Sequence, residues 1–115
     1  MPLSQEFIDT IKKRADKSRA FRVSLLEDAV SAFVTGEPDE CRRILSDYVK
    51  ATVGFEELAR QLNMTSSSLK RMLGPKGNPK TSNFAAIIGV LQQNEEIVLR
   101  VVEQRPYEKR KRELA

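Results

Sequence analysis

Apolar residues recur along most of this chain at intervals of three and four, the spacing that lines one face of a helix, with glycine, proline and polar breaks between the stretches. The first stretch is Phe7, Ile8, Ile11 and Ala15 behind Ser4, whose hydroxyl suits a helix cap, and it predicts a helix to about Asp16. Leu25, Leu26, Ala29, Val30 and Phe33 form a second stripe, a helix from about Arg22 to Val34. Thr35-Gly36 ends it with a residue free to take positive φ. Pro38 then fits the first turn of a third helix, where Asp39 and Glu40 complement the positive end of the helix dipole. Cys41, Ile44, Leu45, Tyr48 and Val49 are its apolar face, so Cys41 and Tyr48 read as packing residues.

After Gly54 come two short helical patterns within residues 55–73. A helix-turn-helix needs apolar residues on the inner face of its first helix, a small residue where the second crosses it, and a left-handed residue in the turn. Leu58 and Leu62 meet the first need, Ala59 the second and Asn63 the third, and Met64 follows as an apolar plug. Thr65 is placed to cap the second helix, whose inner face is Leu69 and Met72 with Leu73 beside them. The loop Gly74-Pro75-Lys76-Gly77-Asn78-Pro79 cannot continue a helix. Thr81 or Ser82 then caps a helix with Phe84, Ile87, Ile88 and Leu91 on one face.

Past Asn94 the period changes. Ile97, Val98, Leu99, Arg100, Val101 and Val102 suggest one short strand, with continuation of the helix as the alternative. Such a strand needs a partner, either a second copy of the chain or a different protein. The tail from Tyr107 to Ala115, with Lys109-Arg110-Lys111-Arg112, reads as frayed. The expected fold is all-α, a helix-turn-helix bundle of about five to six helices with a short C-terminal strand. Residues 1–20 form an amphipathic helix or arm, 21–94 the helix-turn-helix domain, and 95–115 the strand and basic tail.

A chain of 115 residues holds one small core, and 40% apolar with 31% charged residues is the balance of a folded, soluble protein. No stretch is long and apolar enough to cross a bilayer, and the scattered charges of the first twenty residues do not resemble a secretion signal. One cysteine forms no internal disulfide, so a cytoplasmic, reducing location is the default. Without histidine, and with carboxylates spread along helical faces, the composition offers neither a zinc site nor a histidine-based triad, so no enzyme, metal or cofactor is expected.

The formal charge of +4 becomes informative through its placement. Residues 54–93 hold Arg60, Lys70, Arg71, Lys76 and Lys80 against Glu56 and Glu57, a net of +3, whereas residues 21–53 carry a net of −2. The other basic cluster, Lys12, Lys13, Arg14, Lys17 and Arg19, is interrupted by Asp9 and Asp16 and reads as a solvated face before a phosphate-contacting arm. The outward face of the second short helix offers Ser66, Ser67, Lys70 and Arg71. Short hydroxyls can approach base edges in a major groove, while the helix-start amides and the cations engage phosphates or guanine. Thr65, Ser66, Ser67, Lys70, Arg71, Lys76 and Lys80 are therefore the expected contacts to double-stranded DNA.

From Phe33 to Leu91 the chain resembles the addiction-module antidote family, antitoxins of bacterial toxin-antitoxin pairs with a lambda-repressor-like domain. The resemblance rests on Gly36-Glu37-Pro38, Phe55-Glu56-Glu57-Leu58-Ala59, Met64-Thr65-Ser66-Ser67-Ser68-Leu69 and, most specifically, Gly77-Asn78-Pro79 before the last helix. It implies a transcriptional regulator that binds its operator as a homodimer, represses its own operon and neutralises a cognate toxin. The alternative is a helical protein-interaction adaptor that does not bind DNA.

Overall fold

A computed structural model describes residues 4–105, without the side chains of residues 12 and 14–17. The tail that carries Lys109, Arg110, Lys111 and Arg112 lies outside the described residues, as do the side chains of Lys12, Arg14 and Lys17 in the N-terminal basic cluster. Six helices occur among the described residues: α1 (Gln5–Lys17), α2 (Arg19–Val34), α3 (Pro38–Ala51), α4 (Phe55–Gln61), α5 (Ser66–Leu73) and α6 (Thr81–Glu95). No strand occurs among the described residues. None of these helices is long and apolar enough to cross a membrane.

The helix boundaries follow from local chemistry. Ser4 Oγ accepts from the Phe7 amide at 3.2 Å, as its position ahead of the first stripe predicts. The second helix starts three residues earlier than its apolar stripe indicates, because Ser18 caps it by accepting from the Phe21 amide at 3.1 Å. Gly36 has φ +87°, and α3 begins at Pro38. For α6 the cap position is Lys80, with no side-chain cap bond, so Thr81 is the first helical residue and neither it nor Ser82 is the cap. The helix ends at Glu96 in the left-handed region (φ 59°, ψ 42°), so the run 97–102 leaves the helix and is not its continuation.

The apolar stripes meet in one core. Leu26 and Ala29 of α2 and Cys41, Leu45 and Val49 of α3 join Leu58 of α4, Leu69 and Leu73 of α5 and Ile87 and Leu91 of α6, all essentially inaccessible to solvent. Each buried leucine or isoleucine stabilises by roughly 1.5–3 kcal/mol relative to an exposed one, before the chain's ordering entropy is subtracted. Helices α2 and α3 form the central pair, α1 lies against both, α6 packs on α2, and α4 and α5 lean on α3 and on each other. Phe33 and Phe84 meet with ring centroids 5.2 Å apart, joining the end of α2 to the start of α6.

Candidate nucleic-acid interface

Helices α4 and α5 are joined by a turn over residues 62–65, and the side chains there do what their spacing indicates. Leu58 and Ala59 are buried where α4 meets its neighbours, and Leu62 and Met64 pack at the edge of the core. Asn63 has φ +58°, the left-handed conformation that asparagine tolerates better than other non-glycine residues, and the Met64 amide reaches back to the Ala59 carbonyl at 3.0 Å. The inner face of α5 is the pair Leu69 and Leu73, one turn apart and fully buried, with Met72 half-buried beside them.

Thr65 caps α5. Its Oγ1 accepts from the Ser68 amide at 3.1 Å and lies 2.8 Å from Ser68 Oγ. That hydroxyl is committed to the helix start, which leaves its backbone as the part available to a ligand. The amides of Ser66 and Ser67 have no hydrogen-bond partner among the described residues. Ser67 is exposed and Ser66 half-buried at this electropositive end. One turn on, Lys70 and Arg71 are exposed, and Lys76 and Lys80 are exposed on the following loop. None of the four cations enters an ion pair among the described residues.

Arg60 differs from them. Glu57 accepts three hydrogen bonds from its guanidinium, from Nε to Oε2 at 2.8 Å and to Oε1 at 3.2 Å and from Nη2 to Oε2 at 2.5 Å, and this contact raises the guanidinium pKa further. The pair is exposed and its net charge is zero. The positive character of residues 54–93 is thus concentrated on α5 and its following loop.

Two further residues belong to the site and carry no local signal in the sequence. Arg42, on α3, donates from Nη1 to the carbonyls of Leu73 at 3.0 Å and Gly74 at 2.8 Å. These are carbonyls that the end of α5 leaves without helical partners, and a cation there also opposes the negative end of the helix dipole. Arg42 therefore fixes the C-terminal end of the helix whose outer face carries Lys70 and Arg71. Lys50, exposed in the last turn of α3, lines a surface hollow with Phe55 and Lys70 and adds a cation beside α5.

The loop after α5 is held close to it. Gly77 donates to the Gly74 carbonyl at 2.8 Å, and its α-carbon sits against the backbone at Met72 and Arg71. The backbone that carries Lys76 is therefore held beside the end of α5. Other reactive side chains are placed elsewhere. Cys41 is fully buried, and burial pushes its thiol pKa up to about 11, which suppresses the thiolate that nucleophilic chemistry needs. Among the described residues no cluster of cysteine, aspartate or glutamate has the arrangement to hold a metal ion. Compared with family models, curated proteins and solved structures, the chain matches none of them.

Proposed function

We propose that this chain is a DNA-binding transcriptional regulator of antitoxin type, which binds operator DNA as a homodimer and represses its own operon. The observation that carries the reading is the outer face of α5. A threonine-capped helix start with two unpartnered amides is followed within one turn by Lys70 and Arg71, both exposed and free of ion pairs. Lys76 and Lys80 extend the same positive surface. Backbone amides and cations at this density suit phosphates, and Ser66 and Ser67 are short enough to let the helix approach a groove. In a homodimer the two α5 helices would lie ~34 Å apart to meet successive major grooves. Neutralisation of a co-encoded toxin is the part of the reading that rests on the resemblance alone.

The test is binding of the chain to its own promoter fragment across a series of salt concentrations. Replacing Lys70 and Arg71 together with alanine should lower affinity ~10- to 100-fold and reduce the slope of log affinity against log salt by about 2, one unit for each phosphate that is no longer neutralised. Unchanged affinity with an unchanged slope overturns their role. A helical protein-interaction adaptor is the second reading, favoured by the exposed valines Val98, Val101 and Val102. Salt-dependent retention of the promoter fragment decides against it.

A further inference from the structure

A groove of about 840 Å³ runs between α1, α2 and α3 and takes no residue from α4, α5 or α6. Its floor is apolar. Ile11, Leu25 and Ile44 are half-buried there, and Phe7 is 52% exposed. Among the described residues that line it, the carboxylates of Asp28, Glu37, Glu40 and Asp47 stand against one cation, Arg43. Arg43 is already shared between Glu40 and Asp47. The carboxylates of Asp28 and Glu37 are exposed and have neither an ion pair nor a hydrogen bond among the described residues. Burial raises the Asp47 carboxyl pKa above its ordinary value even with Arg43 beside it, so the groove is short of positive charge.

The chain carries the missing charge to the rim of this groove. Residues 98–104 line a neighbouring hollow on α2, and Asp28 and Ser31 line both, so the two share a wall. The segment that follows, 106–115, lies outside the described residues. It holds Lys109, Arg110, Lys111 and Arg112 between Glu108 and Glu113, with the apolar Tyr107 and Leu114 on either side. Ten extended residues reach up to ~33–36 Å, and the 16 residues of α2 are about 24 Å long, so the segment can span the groove. We infer that residues 106–115 dock into the groove of their own chain, with the cations at 109–112 beside Asp28, Glu37 and Asp47 and Tyr107 over the apolar floor. Exposed ion pairs contribute little between separate molecules, but a short tether gives an effective concentration on the order of 1 mM, at which such pairs suffice. Docking withholds four cations from nucleic acid and closes the acidic groove to basic segments of other proteins.

The test uses the full chain without DNA, so its failure leaves the reading of α5 untouched. The chain has no tryptophan, and Tyr107→Trp therefore places a single fluorophore on the segment. Its emission should be blue-shifted and shielded from acrylamide, to a degree independent of protein concentration. Adding Asp28→Lys and Glu37→Lys removes two attractions and should lower the ratio of docked to free segment by ~2- to 30-fold or more. Asp28→Asn with Glu37→Gln is the milder form of the same change and should act in the same direction. Lys109→Glu with Arg110→Glu, added to the two lysine substitutions, should restore the shielding, and helix content should stay constant throughout. Sodium chloride should release the segment, because exposed pairs are screened. A tryptophan at position 107 as open to acrylamide as a free indole overturns the inference, as does shielding that neither set of groove substitutions alters. Shielding that grows with protein concentration places the segment on a second copy, and shielding that arises only with added duplex places it on DNA. Either result also overturns docking within one chain.

Discussion

At the residue scale, two glycines show how differently the same substitution acts when the surroundings differ. A β-carbon placed on Gly77 would lie 1.9 Å from the Met72 carbonyl oxygen and 2.7 Å from that of Arg71, both backbone atoms that cannot swing aside. A β-carbon on Gly89, within α6, meets nothing within 4 Å. Gly77→Ala should therefore force the loop away from the end of α5 and cost about 1–3 kcal/mol. Gly89→Ala should stabilise by about 0.5–1 kcal/mol, because alanine loses less backbone freedom on entering a helix. Urea denaturation of the two variants checks both signs, and a Gly77→Ala protein as stable as wild type would show that the loop is not pinned to α5. The sequence marks Gly77 as part of a loop. That it must be glycine depends on backbone packing from a neighbouring segment, which no local pattern encodes.

At the element scale, legibility follows the range of the interactions that set each feature. The third helix is readable from Pro38 through Val49, because a first-turn proline and an apolar stripe are local features, and α3 spans Pro38–Ala51. The left-handed turn at Asn63 and the cap at Thr65 are readable for the same reason. The start of α2 is not, since the stripe begins after the cap and Ser18 lies outside it. Arg42 is silent because the carbonyls it bonds lie 31 and 32 residues away. The Thr65 cap leads to a prediction of its own. Thr65→Ala leaves the Ser68 amide without its acceptor and should lower stability by about 1 kcal/mol, while Thr65→Ser should restore most of the loss. Thermal melts of the three proteins measure this, and equal midpoints would mean that the cap contributes nothing to α5.

At the scale of the whole molecule, one polar contact joins three helices that the apolar core also holds together. Glu95 of α6 accepts from Arg22 Nε of α2 at 2.6 Å and from Tyr48 Oη of α3 at 3.1 Å, across 73 and 47 residues of chain. Its side chain is only 10% exposed, so these bonds act with little competition from water. Tyr48 is itself 2% exposed, and burial, with the neighbouring Glu95 carboxylate acting in the same direction, raises its phenol pKa above the ordinary tyrosine value. A raised folded-state pKa means that the native protein holds this proton more tightly than the unfolded chain does. The stabilisation is then complete below the unfolded value near 10 and declines as pH rises through that point toward the folded value. Tyr48→Phe should cost about 1 kcal/mol at neutral pH through the lost bond to Glu95. Above about pH 10 the wild-type protein should lose up to ~1.4 kcal/mol per pH unit that the variant does not, so the stability gap narrows and can reverse. Denaturation curves of both proteins from pH 7 to about pH 11 test this, since the other titrating groups are common to both. Parallel stability profiles across that range would mean that Tyr48 ionises as readily in the folded protein as in the unfolded chain.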